Sequence, residues 1–384
     1  MKRTLGLIPA ALGLFLFALQ AQAGWTPAQR LTWTSGASSR PALAIDSNDH
    51  IHVVWSDDSP GNPEIYYKKS LDGGATWTAG KKISETSGAS YEPAIAVDSS
   101  GNPHVAWQDN SPGSGEIYYR KSTDGGSAWM AARRLTWTTG WSYRPALVID
   151  SSDDLHIVWE DWTPGNPEIY YRRSMDGGTT WTSGVEITWS AKNSWGPAMA
   201  VDSSDNLHVV WEDNTPSNFD IYYKKSPDAG ATWMEDKRLS WNSGWSAKPA
   251  VSADSVSNIH IAWQDDTPGN NEVYYKKSTD GGVAWTASKR LTWNSGASAS
   301  PAVAADSAGN VHIVWQDATP GAHDIYYKKS PDSGDNWGTG QRLTWNSGDS
   351  MYPAVAADSF GNIHLVWADD TPGNAEIYYR KNVK

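Results

Sequence analysis

The sequence predicts an all-β fold, a seven-bladed β-propeller of four-stranded antiparallel blades, and three observations predict it. The first is a strict 52-residue period. The motif His52-Val53-Val54-Trp55 returns at His104, His156, His208, His260, His312 and His364, and Pro41 and the pair Tyr66-Tyr67 keep the same step without insertion or deletion. A fixed period of this length marks a repeat architecture in which each unit is one supersecondary structure. The second is that each period holds four strand-like segments separated by turn residues. The third is an imbalance at the ends: the chain stops at Lys384 after the seventh third segment, while a spare fourth segment, Trp25 to Trp33, stands at the front. That N-terminal strand is expected to complete blade seven and close the ring, where an open solenoid would need no such exchange.

Within the first copy, segment A is Pro41 to Ile45, B is Ile51 to Ser56, C is Glu64 to Lys69 and D is Thr76 to Ile83. B and C carry large apolar or aromatic residues at consecutive positions (Val53, Val54, Trp55; Ile65, Tyr66, Tyr67), so both sheet faces are expected to be covered, as in stacked blades. Segment D carries Lys81-Lys82, Arg133-Arg134 and Lys237-Arg238, which suits an outer edge that must not pair with another molecule.

Composition narrows the class. The chain has 384 residues, no cysteine, a net charge of -12, and 24 Trp against 4 Phe. An apolar fraction of 39% lies far from disorder, and the acidic balance argues against nucleic acid, which needs a basic face. Residues 1–23 read as a signal peptide: Lys2 and Arg3, an apolar run from Leu5 to Leu19, then Ala21-Gln22-Ala23. The expectation is a secreted or periplasmic single domain over 24–384, with no membrane span.

The turn between C and D, Ser70-Leu71-Asp72-Gly73-Gly74-Ala75-Thr76-Trp77, resembles the Asp box, S-x-D-x-G-x-x-W, of bacterial neuraminidase (BNR) repeats. Its aspartates recur as Asp124, Asp176, Asp228, Asp280 and Asp332. Their expected role is structural: the carboxylate accepts backbone N–H groups, the second glycine permits positive φ, and the Trp packs over the turn. The resemblance implies the fold, with the boxes on the face away from an active site. It does not carry sialidase chemistry with it. Sialidases use an arginine triad, a Tyr–Glu pair and an Asp, on six blades with irregular insertions. The nearest matches here are Arg40-Pro41 and Tyr143-Arg144-Pro145, and the same repeat position holds Glu92, Gly196, Lys248, Ser300 and Tyr352 elsewhere.

Other candidates have bland readings. Seven of the nine His share one repeat position, but stacked sheets lie roughly 10 Å apart and metal ligands must converge within about 2 Å of one ion. Each is expected to bond within its own blade. The B–C loop carboxylates, such as Asp57, Asp58 and Glu64, suit turn formation, with calcium or catalysis as alternatives. No cofactor is expected.

Twenty tryptophans fall on repeat positions and read as scaffold. Trp141, Trp162, Trp195 and Trp245 do not; they lie in D–A or B–C loops of consecutive units, near the off-repeat aromatics Tyr91, Tyr143 and Phe219. Loops on a rigid scaffold are where recognition is placed, and indole faces suit the C–H face of a sugar. The candidate ligand-binding residues are therefore Trp141, Tyr143, Arg144, Trp162, Trp195, Phe219 and Trp245. The reading is a non-enzymatic binding propeller for a glycan or polysaccharide, or for a surface protein. A sialidase-like glycoside hydrolase and a protein interaction scaffold are the alternatives.

Overall fold

The computed structural model describes residues 24–163, 165–215 and 217–384; the signal-peptide reading of 1–23 lies outside them. Seven antiparallel sheets follow one another, each ordered A-B-C-D. In blade one the strands are Ser38–Ile45, Ile51–Asp57, Glu64–Ser70 and Lys81–Lys82. Blade seven is completed by the first described residues. Gly24–Trp25 pairs with Val383 and Asn382, and Gln29–Arg30 pairs with Tyr379 and Tyr378.

Strand D is shorter than its sequence pattern suggests. Thr78 N–H reaches Lys69 O at 2.9 Å, but the ladder resumes with Lys81 opposite Tyr67, so one extra residue on the outer strand breaks the register. Two paired residues remain of the expected eight.

The core lies between blades. Strand B of blade one is buried along its whole length. One apolar cluster joins Val54, Ile65, Tyr67 and Ile83 of blade one to Ile95, Val105 and Trp107 of blade two, and equivalent clusters recur around the ring. Each strand-B Trp lies against the neighbouring strand-C Tyr of its own blade, as with Trp55 and Tyr66 at 5.9 Å. Each repeat His also bonds the strand-C Tyr of its own blade through Nδ1. His208 Nδ1 meets Tyr223 Oη at 2.8 Å and Nε2 meets Asp202 Oδ2 at 3.0 Å, all buried within one blade.

The C–D turns are closed by their own side chains and amides. In blade one Ser70 Oγ donates to Asp72 Oδ1 (2.8 Å) and accepts from Gly74 N–H (2.8 Å), while Asp72 Oδ1 accepts from Thr76 N–H (2.8 Å). These bonds hold the Asp72 carboxyl down at about 2. Trp77 Nε1 donates to Gly74 O at 3.2 Å, and the ring also packs edge-on against Tyr379 of the preceding blade at 5.0 Å. The box is thus an inter-blade joint as well as a turn.

The second box glycine is fixed by both φ and space. Gly230 has φ +84°, and a Cβ there would overlap the hydroxyl of Tyr171. Gly230→Ala is expected to cost about 2–4 kcal/mol, combining left-handed strain with overpacking. Gly165→Ala is the comparison: its φ is +101° but nothing lies within 4 Å, so only the backbone cost of about 1 kcal/mol remains. Equal urea midpoints for the two variants would contradict this account.

Candidate functional site at the axial mouth

Strand A lines the axis, and each copy carries a bulge near its start. The pairing in blade three passes from Tyr143 with Glu160 directly to Ala146 with Val158. At every bulge the residue before the proline adopts positive φ although most are not glycine: Arg40 51°, Glu92 51°, Arg144 49°, Lys248 53°, Ser300 49° and Tyr352 55°. Bulges re-aim side chains, and strained backbone at one repeated position directs attention to function. Here the bulges turn these residues into one axial cavity of about 620 Å³. Its wall is completed by Glu212, Gln264, Gln316 and the prolines.

Strand B supplies the second layer. In blades three to six the side chain after the strand-B Trp accepts the N–H of the next blade's bulge residue: Glu160 from Gly196 (3.2 Å), Glu212 from Lys248 (2.8 Å), Gln264 from Ser300 (3.0 Å) and Gln316 from Tyr352 (3.1 Å). Charge is concentrated on one side of the mouth. Arg40 pairs with Glu92, and Arg144 lies 3.8 Å from Glu92 and 3.4 Å from Glu160. Arg40 also lies over the Tyr352 ring at 5.3 Å. Burial pushes the Glu212 carboxyl up, and burial followed by the nearby Arg144 charge pushes the Lys248 ammonium down. The mouth thus offers three cations, Arg40, Arg144 and Lys248, against carboxylates already bonded to protein groups.

The predicted aromatic residues adjoin this mouth. Trp162 Nε1 donates to Glu160 Oε1 at 2.8 Å, and Trp162, Tyr143, Arg144, Glu160 and Glu92 line a side cavity of about 260 Å³. From Trp162 an arc of rings runs outward. Trp195 lies parallel to it at 6.4 Å, Phe219 stacks on Trp195 at 4.9 Å, and Trp245 meets Phe219 edge-on at 5.4 Å. Trp195 has a ring on either side, so it supports the arc, while Trp162 and Trp245 remain 40% and 58% exposed. Trp141 stands apart, stacked on Tyr143 at 5.4 Å. Tyr91 is half-buried beside Glu92 and joins none of these stacks.

Sequence reasoning singled out Arg144 and Tyr143 but not Glu92, Glu160, Glu212, Lys248 or Tyr352. A signal existed. The position before the repeated proline changes charge from copy to copy while its backbone does not, which marks it as free of the fold's own demands.

The B–C carboxylates do structural work. Asp57 Oδ2 accepts from Ser38 Oγ (2.6 Å) and Oδ1 from Ser59 N–H (2.9 Å), which fastens the D–A and B–C loops together. Glu116 pairs with Arg134 at 2.7 Å, and its equivalents do the same with the strand-D cations except Glu168, whose strand-D counterpart is Glu186 and which bonds Thr188 and Ser194 instead. Among the described residues, no group of three or more His, Asp or Glu is placed to hold a metal ion, and no helix is long and apolar enough to cross a membrane.

The scaffold reading fails for six of the twenty repeat tryptophans. Trp33, Trp137, Trp189, Trp241, Trp293 and Trp345 are 63–69% exposed, because Leu31 and Thr32 and their equivalents turn inward and leave the next residue outside.

No family model and no curated protein matches the chain. Solved structures do resemble it. An ulvan lyase, a polysaccharide lyase bound to -[GlcA(1-4)Rha3S]-, is 12% identical with a TM-score of 0.67, over 91% of this chain and 95% of that one. An α-L-arabinanase of Penicillium chrysogenum complexed with arabinobiose is 17% identical with a TM-score of 0.57, over 76% and 92%. A Hadza microbial sialidase is 18% identical with a TM-score of 0.52, over 86% and 76%. At these identities the likeness establishes the propeller fold, shared with carbohydrate-active enzymes.

Proposed function

We propose that this protein is an exported, non-enzymatic Asp-box propeller of the BNR kind that binds an acidic saccharide on the face bearing the D–A and B–C loops. A terminal carboxylate or sulfate meets Arg144, Lys248 and Arg40 at the mouth, and adjoining sugar units lie along Trp162 and Trp245. The carrying observation is continuity: Trp162 is hydrogen-bonded to Glu160, which also contacts Arg144, so the cationic mouth and the aromatic arc form one surface. Flat indoles beside a few directed polar groups are the usual make-up of a sugar site. The saccharides named for the ulvan lyase and the arabinanase support the class. The reading favours binding over turnover because Glu92, Glu160 and Glu212 already hold arginines or backbone N–H groups.

On a glycan array, the mature protein is expected to retain acidic oligosaccharides, and Trp162→Ala to weaken them by about tenfold or more. Undiminished binding in that variant, or no binding by the parent protein, overturns the proposal. One observation favours the hydrolase reading, the raised pKa of Glu212 in the cavity wall, as a general acid requires. Turnover of a fluorogenic sialoside, lost in Arg144→Ala, would decide for it.

A further inference from the structure

The six exposed tryptophans lie at the outer rim, in six of the seven notches between blades, away from the mouth. Each follows the outer strand of its blade, with Trp33 belonging to blade seven through the ring-closing segment. Cations flank the indoles from two directions. Beside five of the six, one is the strand-D arginine, as with Arg290 at 5.7 Å from the Trp293 ring; beside Trp189 that position is Glu186. The other comes from strand C of the next blade: Lys68 over Trp33 (5.7 Å), Lys224 over Trp189 (4.8 Å), Lys276 over Trp241 (5.1 Å) and Lys328 over Trp293 (5.5 Å).

The two cations differ in their partners. The strand-D arginines are neutralised by buried carboxylates, as Arg290 is by Glu272 at 2.7 Å. The strand-C cations donate to backbone carbonyls: Lys276 to Leu239 O and Lys328 to Leu291 O at 2.7 Å, and Arg380 to Leu343 O at 2.6 Å. Among the described residues, only Lys224 of these strand-C cations also has a carboxylate within ion-pair reach, Asp236 at 2.8 Å. A cation withdrawn from water without a counter-anion is costly, and an incoming anion relieves that cost.

The notch between blades six and seven encloses a cavity of about 280 Å³ bounded by Trp345, Tyr378, Arg380, Asn346, Thr344 and Thr371. That volume is at the lower end of small-ligand sites, which span about 300–1,000 Å³. Two aromatic rings, a guanidinium, an amide and two hydroxyls are a fitting set for one or two sugar units. We infer that the rim carries six low-affinity sites for anionic saccharide units, weakest at Trp189 where Glu186 and Asp236 add carboxylates, each stacking a sugar on the exposed Trp and presenting its carboxylate or sulfate ester to the strand-C cation. Six sites on one rigid ring engage a polymer with an avidity that no single notch has. The seventh notch is blank by construction: Glu85 replaces the Trp beside Arg120, placing an anion where the ligand's own would go.

The inference shares its ligand class with the proposed function but not its residues, so the two fail separately. In ¹⁵N-labelled mature protein, trigalacturonate or a sulfated disaccharide is expected to shift the indole N–H signals of the six rim tryptophans, assigned by single Trp→Phe variants. The two probes distinguish carboxylate from sulfate as the bound group. Lys276→Met should weaken the response at Trp241 by about tenfold, and Glu85→Trp should add a seventh responding signal. The inference is overturned if neither probe moves the rim signals, if maltotriose moves them equally, if inorganic sulfate alone does so, or if the Lys276 variant responds like the parent. Shifts confined to Trp162 and Trp245 would overturn the rim sites while leaving the mouth intact.

Discussion

Deleting residues 24–33 from a chain that begins at Gly24 is expected to abolish its cooperative folded state at ambient temperature. Those residues supply the whole outer edge of blade seven. Leu31 is buried in a cluster with Ile377 and Val366 of blade seven and Ile51, Val53 and Trp55 of blade one, and losing it costs about 2–5 kcal/mol. Thr32 Oγ1 accepts Ile377 N–H at 2.8 Å. Arg30 neutralises Glu376 at 2.6 Å, and that carboxylate has no exposed side-chain surface. Stripping its partner costs about 3–5 kcal/mol more. The sum approaches the entire stability of an ordinary domain, about 5–15 kcal/mol. Calorimetry checks this: a truncated protein that melts in one transition at the parent temperature would show that the ring does not depend on this closure.

Stability is also expected to fall steeply between pH 6.5 and about pH 4, well before most carboxylates titrate. Burial holds His52 and His312 down at about 4 against an ordinary value of 6.5. The unfolded chain therefore binds more protons than the folded one within this window. The contribution is fully present above pH 6.5 and lost as pH falls toward 4. A depression of this size is worth about 3 kcal/mol for each group. Burial lowers His104, His156, His208 and His364 in the same direction, each within its own blade, so the effects accumulate. Urea unfolding at pH 7.5 and pH 4.5 should differ by several kcal/mol. A flat profile across that range would mean the histidines are not held neutral.

How much of this was legible in the residues depends on what repeats. Blade number, strand order and closure follow from spacing, because a 52-residue unit that cannot bury both faces alone must stack on its neighbours. The box turns were legible for a similar reason: Asp72 and Gly74 act on backbone groups within a few residues. Strand D was misjudged because one extra residue in the ladder leaves no mark in the pattern. The aromatic loop residues were legible as departures from the repeat, and the structure joins four of them in one arc.

The sequence by itself therefore determined the architecture, since periodic burial and turn chemistry are local and are repeated seven times. Only the tertiary structure decided which side chains meet. Arg40, Glu92, Arg144 and Lys248 are 52 or 104 residues apart along the chain, and ring closure with a bulge in every inner strand brings them to one axis. The same closure separates the strand-B tryptophans, sealed between blades, from the six at the rim, which occupy equally regular positions but face solvent. Periodicity reports that a position is used alike in every blade. Whether that use is burial or exposure is set by the neighbouring blade, which the local pattern does not contain.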